Sequence, residues 1–276
     1  MASLKEFERF QDFVRFNKVF IERDPFLYFN LERTIDRVLN REAPLIKFFN
    51  VLDNNCFACC LMIENECLLY ADKVTNEMLP EIIKGLEFEK FKRYQFFGTK
   101  NIIDLLFKSQ SVEYSEQKHR KYYECSVVSS EDSYSSGYAT MGEISRLSEL
   151  ISFSEKFHDE FYDGKGPDSD SETIILNGIE KGNIYQWIDS EKLVSMAQVI
   201  YEEQDHPVIG HVFTDPAQRG KGYAYSLIHT ITKGLLEHGH EKCLLMTNAY
   251  NSASNNTFQK VGYKLTGEYV VRYKLK

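Results

Sequence analysis

The chain of 276 residues lacks an excess of positive charge: 33 Lys and Arg stand against 41 Asp and Glu, a formal net charge of −8. That balance argues against general nucleic-acid binding and is compatible with a cationic substrate such as an amine. No apolar run approaches the roughly 20 residues that a membrane span requires. The opening Met1-Ala-Ser-Leu-Lys-Glu-Phe-Glu-Arg-Phe10 is charged and amphipathic and is read as part of the fold rather than a secretion signal. Cysteine is scarce and mostly confined to one region. Of the six, Cys56, Cys59, Cys60 and Cys67 lie along an apolar, strand-like stretch, with Cys125 and Cys243 elsewhere. Zinc ligation wants thiolates on polar turns around an ion, so the spacing favours reduced, buried thiols in a cytoplasmic protein and no metal.

What is present is a mixture of helical and strand-like periods, an α/β (α+β) pattern in two parts. The first, residues 1–128, has apolar residues at helical spacing over Lys5–Phe16 and Leu31–Asn40, a hairpin of Phe57–Ile63 with Cys67–Tyr70 across Glu64-Asn65-Glu66, and a helix over Glu77–Leu86. The serine-rich residues 129–136 read as a linker. In the second part, residues 137–276, a helix or helix pair covers Met141–Phe161 and a loop covers Asp163–Asp170. Asp170-Ser-Glu then caps a helix to about Lys181. Three strands follow, Asn183–Ile188, Leu193–Tyr201 and Val208–Thr214. A helix over Lys221–Glu237 places Ala224, Leu227, Ile228, Ile231 and Leu235 on one face, with Gly239 as its C-terminal cap. A strand over Lys242–Thr247, a short helix over Ser252–Lys260 and a pair of strands within Tyr263–Leu275 complete the pattern.

The segment Val208-Ile-Gly-His-Val-Phe-Thr-Asp-Pro-Ala-Gln-Arg-Gly-Lys-Gly-Tyr-Ala224 carries the most specific chemistry. A strand runs into a glycine-rich loop that opens a helix. Gly220 and Gly222 admit close backbone approach, and the free N–H groups of the first helical turn favour an anion there. Arg219 and Lys221 add positive charge. The implied ligand bears phosphate.

The second part resembles the GCN5-related N-acetyltransferase (GNAT) superfamily, in particular its FR47-like subgroup. The superfamily's cofactor motif is met by Arg219-Gly-Lys-Gly222-Tyr-Ala224 after Thr214-Asp-Pro. The second signature is met by Leu244-Leu-Met-Thr-Asn-Ala-Tyr-Asn251-Ser-Ala-Ser254-Asn255-Asn-Thr-Phe258-Gln-Lys-Val-Gly262-Tyr263, while Ile184-Tyr-Gln-Trp187 and Val194-Ser-Met-Ala197 are similar to paired central strands. The resemblance implies a mixed sheet splayed in the middle, with acetyl-CoA lying in the split and an amine acceptor attacking directly. On it, the backbone of Val212, Phe213 and Thr214 pairs with the pantetheine arm, and the N–H groups of Arg219, Gly220, Lys221, Gly222, Tyr223 and Ala224 hold the pyrophosphate. Asn251 and Ser254 contact the arm or the adenosine end.

One departure stands out: the usual proton-donating tyrosine is replaced by Phe258. Tyr263, Tyr225, Tyr250 or water is then the donor, or the chain binds CoA with little or no turnover; a different acyl-CoA or acceptor is a third reading. His211 faces the acceptor as a base or is structural; Asn251, Ser254 and Asn255 touch cofactor or only cap a helix. Glu202, Glu203 and Asp205 are candidates for receiving an ammonium through water, against a plain solvated turn. Trp187 is core or a wall of the acceptor site. Residues 1–128 hold no comparable glycine loop, since Lys84-Gly-Leu and Phe97-Gly-Thr do not fit. That part is read as a degenerate copy of the same fold, supplying an acceptor wall or a homodimer surface.

Overall fold

One string of elements occurs twice along the chain. A computed structural model describes residues 1–90, 94–130, 133–162, 170–200 and 206–275. The first string is β1 (Ser3–Glu6), α1 (Phe10–Ile21), α2 (Pro25–Leu39), β2 (Leu45–Asp53), β3 (Cys56–Ile63), β4 (Glu66–Ala71), α3 (Met78–Leu86), β5 (Gln95–Thr99), α4 (Lys100–Ser109) and β6 (Tyr114–Cys125). The second repeats that order as β7 (Tyr138–Met141), α5 (Leu147–Tyr162), α6 (Ser171–Glu180), β8 (Ile184–Asp189), β9 (Lys192–Ile200), β10 (Val208–Thr214), α7 (Tyr223–Glu237), β11 (Cys243–Asn248), α8 (Ser252–Val261) and β12 (Lys264–Lys274). Among the described residues, no helix is long and apolar enough to cross a membrane.

The chain divides into two compact units, residues 1–121 with 267–276, and residues 122–266. Each uses five of its own strands and borrows its sixth from the other half. The order in the first unit is β1-β2-β3-β4-β5-β12, and in the second β7-β8-β9-β10-β11-β6. Strand pairing is mixed in each unit: β4 pairs with β5 in parallel and β10 with β11 in parallel, whereas the hairpins are antiparallel.

In the first unit, the expected hairpin forms with Met62 opposite Cys67 and Ile63 opposite Glu66. Asn65 takes the left-handed turn position, φ 62°, which asparagine tolerates. Side chains of β3 and β4 are buried on both faces, which is why their sequence runs apolar without alternation. Met62, Leu69, Phe96, Ile102, Leu106 and Val270 of β12 share one core. Arg272 of β12 is buried with its Nε 3.1 Å from Glu116 Oε2 and its guanidinium 4.2 Å from the Tyr114 ring centre. Cys60 and Cys67 place their sulfurs 4.0 Å apart in that core.

Three boundaries differ from expectation here and at the C-terminal end. Residues 3–6 are a strand, because they pair with β2, so α1 begins only at Phe10. The second helix begins at Pro25, not Leu31: Asp24 accepts from Leu27 N at 3.0 Å and proline occupies the first turn. Residues 264–274 form one long strand rather than a pair, running straight through Gly267.

In the second unit, α7 and α8 cover one apolar cluster with Val194, Val199, Ile209 and Leu245, and the second cluster unites Leu150, Phe153 and Ile175 of α5 and α6 with Ile184, Met196 and Phe213. Trp187 belongs to the first cluster, and its indole N–H donates to Ser136 O at 2.8 Å. The Asp170 cap is as expected, accepting from Thr173 N at 2.9 Å. The helix expected from Met141 starts at Leu147 instead, since Tyr138–Met141 pairs with β8 as an edge strand. Gly239, at φ 99°, follows α7 in the left-handed position. The serine-rich residues read as a linker form no helix or strand among those described, and Ser129, Tyr134, Ser135 and Ser136 all bond within the second unit.

Candidate functional site

Two irregularities in β10 create an open edge. Between Gly210 and Phe213 the register with β9 shifts, so that His211 and Val212 stand opposite Ala197 alone. Such a bulge bends a strand and increases its twist. On its other side β10 pairs with β11 only at Val208–Leu244 and Ile209–Leu245. Beyond Ile209 the two strands part, leaving Val212, Phe213 and Thr214 with no strand partner on that edge among the described residues.

The glycine loop lies at the end of the same strand. Asp215 accepts from Ala217 N at 3.0 Å, turning the chain, and Gly220 and Gly222 adopt φ of 78° and 82°. A side chain at either position is strained by that conformation. Among the described residues, a Cβ on Gly220 would meet nothing within 4 Å; on Gly222 it would lie 2.9 Å from Ser135 Oγ. Gly222 precedes α7 with no side-chain cap. The N–H groups of Tyr223, Ala224 and Tyr225 therefore have no partner within the helix, since the first to find one is Ser226, bonded to Gly222 O at 3.0 Å. An anion at this helix start gains both donors and dipole. The residues present fit a pyrophosphate.

The two cations beside the loop are already engaged. Arg219 places Nη2 2.7 and 2.9 Å from the Glu160 carboxylate and donates through Nε to Thr214 O at 3.1 Å. Lys221 reaches Gln218 Oε1 at 2.7 Å. Both Arg219 and Glu160 are solvent-exposed, so this pair contributes little to stability. Tyr223 donates its hydroxyl to Asp189, holding that carboxyl below the usual carboxylate range with help from Ser136.

His211 sits on the bulge with φ 54° and is buried. Its Nδ1 lies 3.3 Å from Gln198 Oε1 and its Nε2 3.1 Å from Ser154 Oγ. An amide oxygen only accepts, so Nδ1 carries the proton; Nε2 faces Ser154 Oγ, whose hydroxyl also lies 2.9 Å from Ser171 Oγ. Burial, then the neighbouring His158, pushes the His211 pKa down to about 4. The ring is therefore neutral near pH 7, and both its nitrogens are occupied.

Tyr263 is buried with its hydroxyl 2.9 Å from that of Thr232, and burial raises its pKa well above 10. Phe258 is also buried, in the cluster under α7, its ring edge-on to Tyr263 at 6.3 Å. Tyr225 is buried beneath Lys260, and Tyr250 is exposed. Asn251 is the N-cap of α8, accepting from Ser254 N at 3.0 Å. Glu202, Glu203 and Asp205 lie outside the described residues.

Asn255, which the sequence offers as a helix-capping residue, instead organises the loop before α8. Its buried amide donates to Asn248 O at 3.0 Å, Ala249 O at 3.3 Å and Asn251 O at 2.7 Å, and accepts from Tyr123 OH at 2.7 Å. It thus shapes the whole connection from β11 to α8. Nothing local in Asn-Asn-Thr signals this role, because its partners come from the loop's curvature and from β6.

Comparison with known proteins fits this arrangement. Residues 187–271 match the family described as FR47-like protein. No curated protein matches the chain. Among solved structures, the chain is similar to a GNAT-family acetyltransferase from Colwellia psychrerythraea, with TM-score 0.59 and 13% identity over 99% of this chain and 100% of that one. It is also similar to a GCN5-related N-acetyltransferase from Sphaerobacter thermophilus, with TM-score 0.52 and 14% identity over 87% of this chain and 85% of that one. At these identities the likeness speaks for the fold.

Proposed function

With its C-terminal half an FR47-like match and its fold that of the GCN5-related N-acetyltransferases, we propose that the protein transfers an acyl group, acetyl first, from CoA to a small-molecule amine. One observation carries this reading: β10 parts from β11 directly above a left-handed glycine loop with unpartnered N–H groups. The open edge of Val212, Phe213 and Thr214 offers backbone groups to an amide-bearing arm in the manner of an added strand. The loop from Arg219 to Ala224 holds the pyrophosphate, and Asn251, the N-cap of α8, and Ser254 follow β11. The bound thioester supplies an activated acyl carbon and a thiolate leaving group.

The residues of this chain contribute placement more than proton transfer. On this reading, backbone N–H groups at the bulge stabilise the developing oxyanion. His211, with both nitrogens bonded, fixes α5 to the bulge through Ser154; it is a positioning residue. The Tyr263 hydroxyl is committed to Thr232. Protonation of the thiolate then falls to solvent or to Tyr250, which a leaving group of pKa about 8.5 permits at reduced rate.

The test is direct. Purified protein is titrated with CoA in a calorimeter, and free thiol is followed with acetyl-CoA and an amine panel. We expect binding and thiol release dependent on amine. Gly220→Ala should weaken CoA at least tenfold, because its Cβ stands in the space before the loop, at a folding cost of only about 1–2 kcal/mol for the left-handed residue. Absence of CoA binding by the wild-type chain would sink the reading. Phe258 supports a second one, a CoA-binding module without turnover; tight CoA binding with no thiol release on any amine favours it.

A further inference from the structure

The loop's N–H groups are aimed by bonds made on their other side. Ser135, in the serine-rich segment before β7, donates its hydroxyl to Lys221 O at 2.7 Å. The chain has no cis peptide among its described residues. In a trans peptide the carbonyl oxygen and the following N–H point in opposite directions. Holding Lys221 O against Ser135 therefore directs the Gly222 N–H away from Ser135. The next peptide is held in the same way: Gly222 O accepts from Ser226 N at 3.0 Å and Ser226 Oγ at 3.2 Å, which turns the Tyr223 N–H outward from the helix start. The two clamps are joined, because Ser135 N donates to Ser226 Oγ at 2.9 Å.

The segment that carries Ser135 is itself anchored at both sides. Tyr134 OH lies 2.9 Å from His229 Nδ1, whose Nε2 lies 3.0 Å from Ser129 O. Ser136 O accepts the Trp187 indole at 2.8 Å. These three anchors make Ser135 a fixed point rather than a passing surface contact. Two consecutive N–H groups with fixed direction are what recognition of a pyrophosphate needs, since donors that need no reordering lose less on binding.

We propose that Ser135 is a positioning residue for the pyrophosphate of an acyl-CoA, acting through the Lys221–Gly222 peptide without touching the ligand. This rests on reading the glycine loop as a CoA cradle. It predicts a defect confined to ligands that carry the pyrophosphate.

The experiment compares wild type, Ser135→Ala and Ser135→Thr for CoA, by calorimetry, and for pantetheine, by competition against CoA. Ser135→Ala should raise the Kd for CoA about five- to tenfold, the scale of one lost hydrogen bond. It should leave the Kd for pantetheine unchanged, and Ser135→Thr should recover most of the CoA affinity. A merely structural role would weaken both ligands together. The proposal is overturned if the alanine variant binds CoA as wild type does, if both ligands weaken alike, or if threonine fails to recover affinity. Should wild type itself not bind CoA, the cradle reading fails first, and that outcome is distinct because no variant is needed to see it.

Discussion

At the scale of single residues, His211 combines a left-handed backbone, burial and a depressed pKa of about 4. Unfolding returns the ring to an ordinary value near 6.5. Below pH 6.5 the unfolded chain then takes up a proton that the folded one refuses, so the stabilising difference is present above that pH and is lost as the pH falls towards 4. His211→Asn keeps a residue that tolerates positive φ and removes the titration. Comparing urea unfolding of the two proteins from pH 7 to pH 4, wild type should lose about 3 kcal/mol more than the variant. Parallel curves would show that the ring is not held neutral. The cysteines obey the same physics: burial raises the thiols of Cys59, Cys60, Cys125 and Cys243, that of Cys243 to about 12. Alkylation of the native protein followed by mass spectrometry should therefore modify half-buried Cys56 first.

At the scale of elements, the connection from β11 to α8 depends on Asn255. Truncation to alanine removes four bonds at once and leaves buried carbonyls, together with the Tyr123 hydroxyl, poorly satisfied. We expect Asn255→Ala to cost about 2–3 kcal/mol in denaturant unfolding; a loss under 0.5 kcal/mol would mean that the loop holds its shape without the amide. Elements with local signals were legible in the sequence. The hairpin of β3 and β4, the Asp170 cap and the glycine loop before α7 each declare themselves within a few residues. Elements defined by distant partners were not. β6 reads Tyr-Ser-Glu-Gln-Lys-His-Arg-Lys-Tyr-Tyr-Glu-Cys, with no apolar alternation, yet forms 12 residues of strand. β1 looks like the start of an amphipathic helix until β2 is known to lie beside it. Ser135 was hidden for a related reason, since a serine-rich composition signals a linker and says nothing of the carbonyl it bonds.

At the scale of the whole molecule, the two units share an order of elements but not a slot. Where β10 and β11 part after two paired positions, β4 and β5 stay paired over four, from Glu66–Gln95 to Leu69–Gly98. Thr99 then closes the strand ends: its hydroxyl accepts from Ala71 N at 3.0 Å and lies 3.2 Å from Ala71 O. A Cβ on Gly98 would come within 1.7 Å of Leu69 O, so the two backbones are pressed together there. The loop that follows, Asp72-Lys-Val-Thr-Asn-Glu77, has no glycine and carries acids at both ends. Calorimetric titration should therefore give one CoA per chain; a stoichiometry of two would show that the first unit opens as well.

The borrowed strands set a timetable for synthesis. The first unit includes Val270 in its core and Arg272 among its buried charges, both from β12. Residues 1–121 emerging from a ribosome thus cannot settle until some 145 further residues have been made. During that interval the edge of β5 that awaits β12 stays open to any other extended segment.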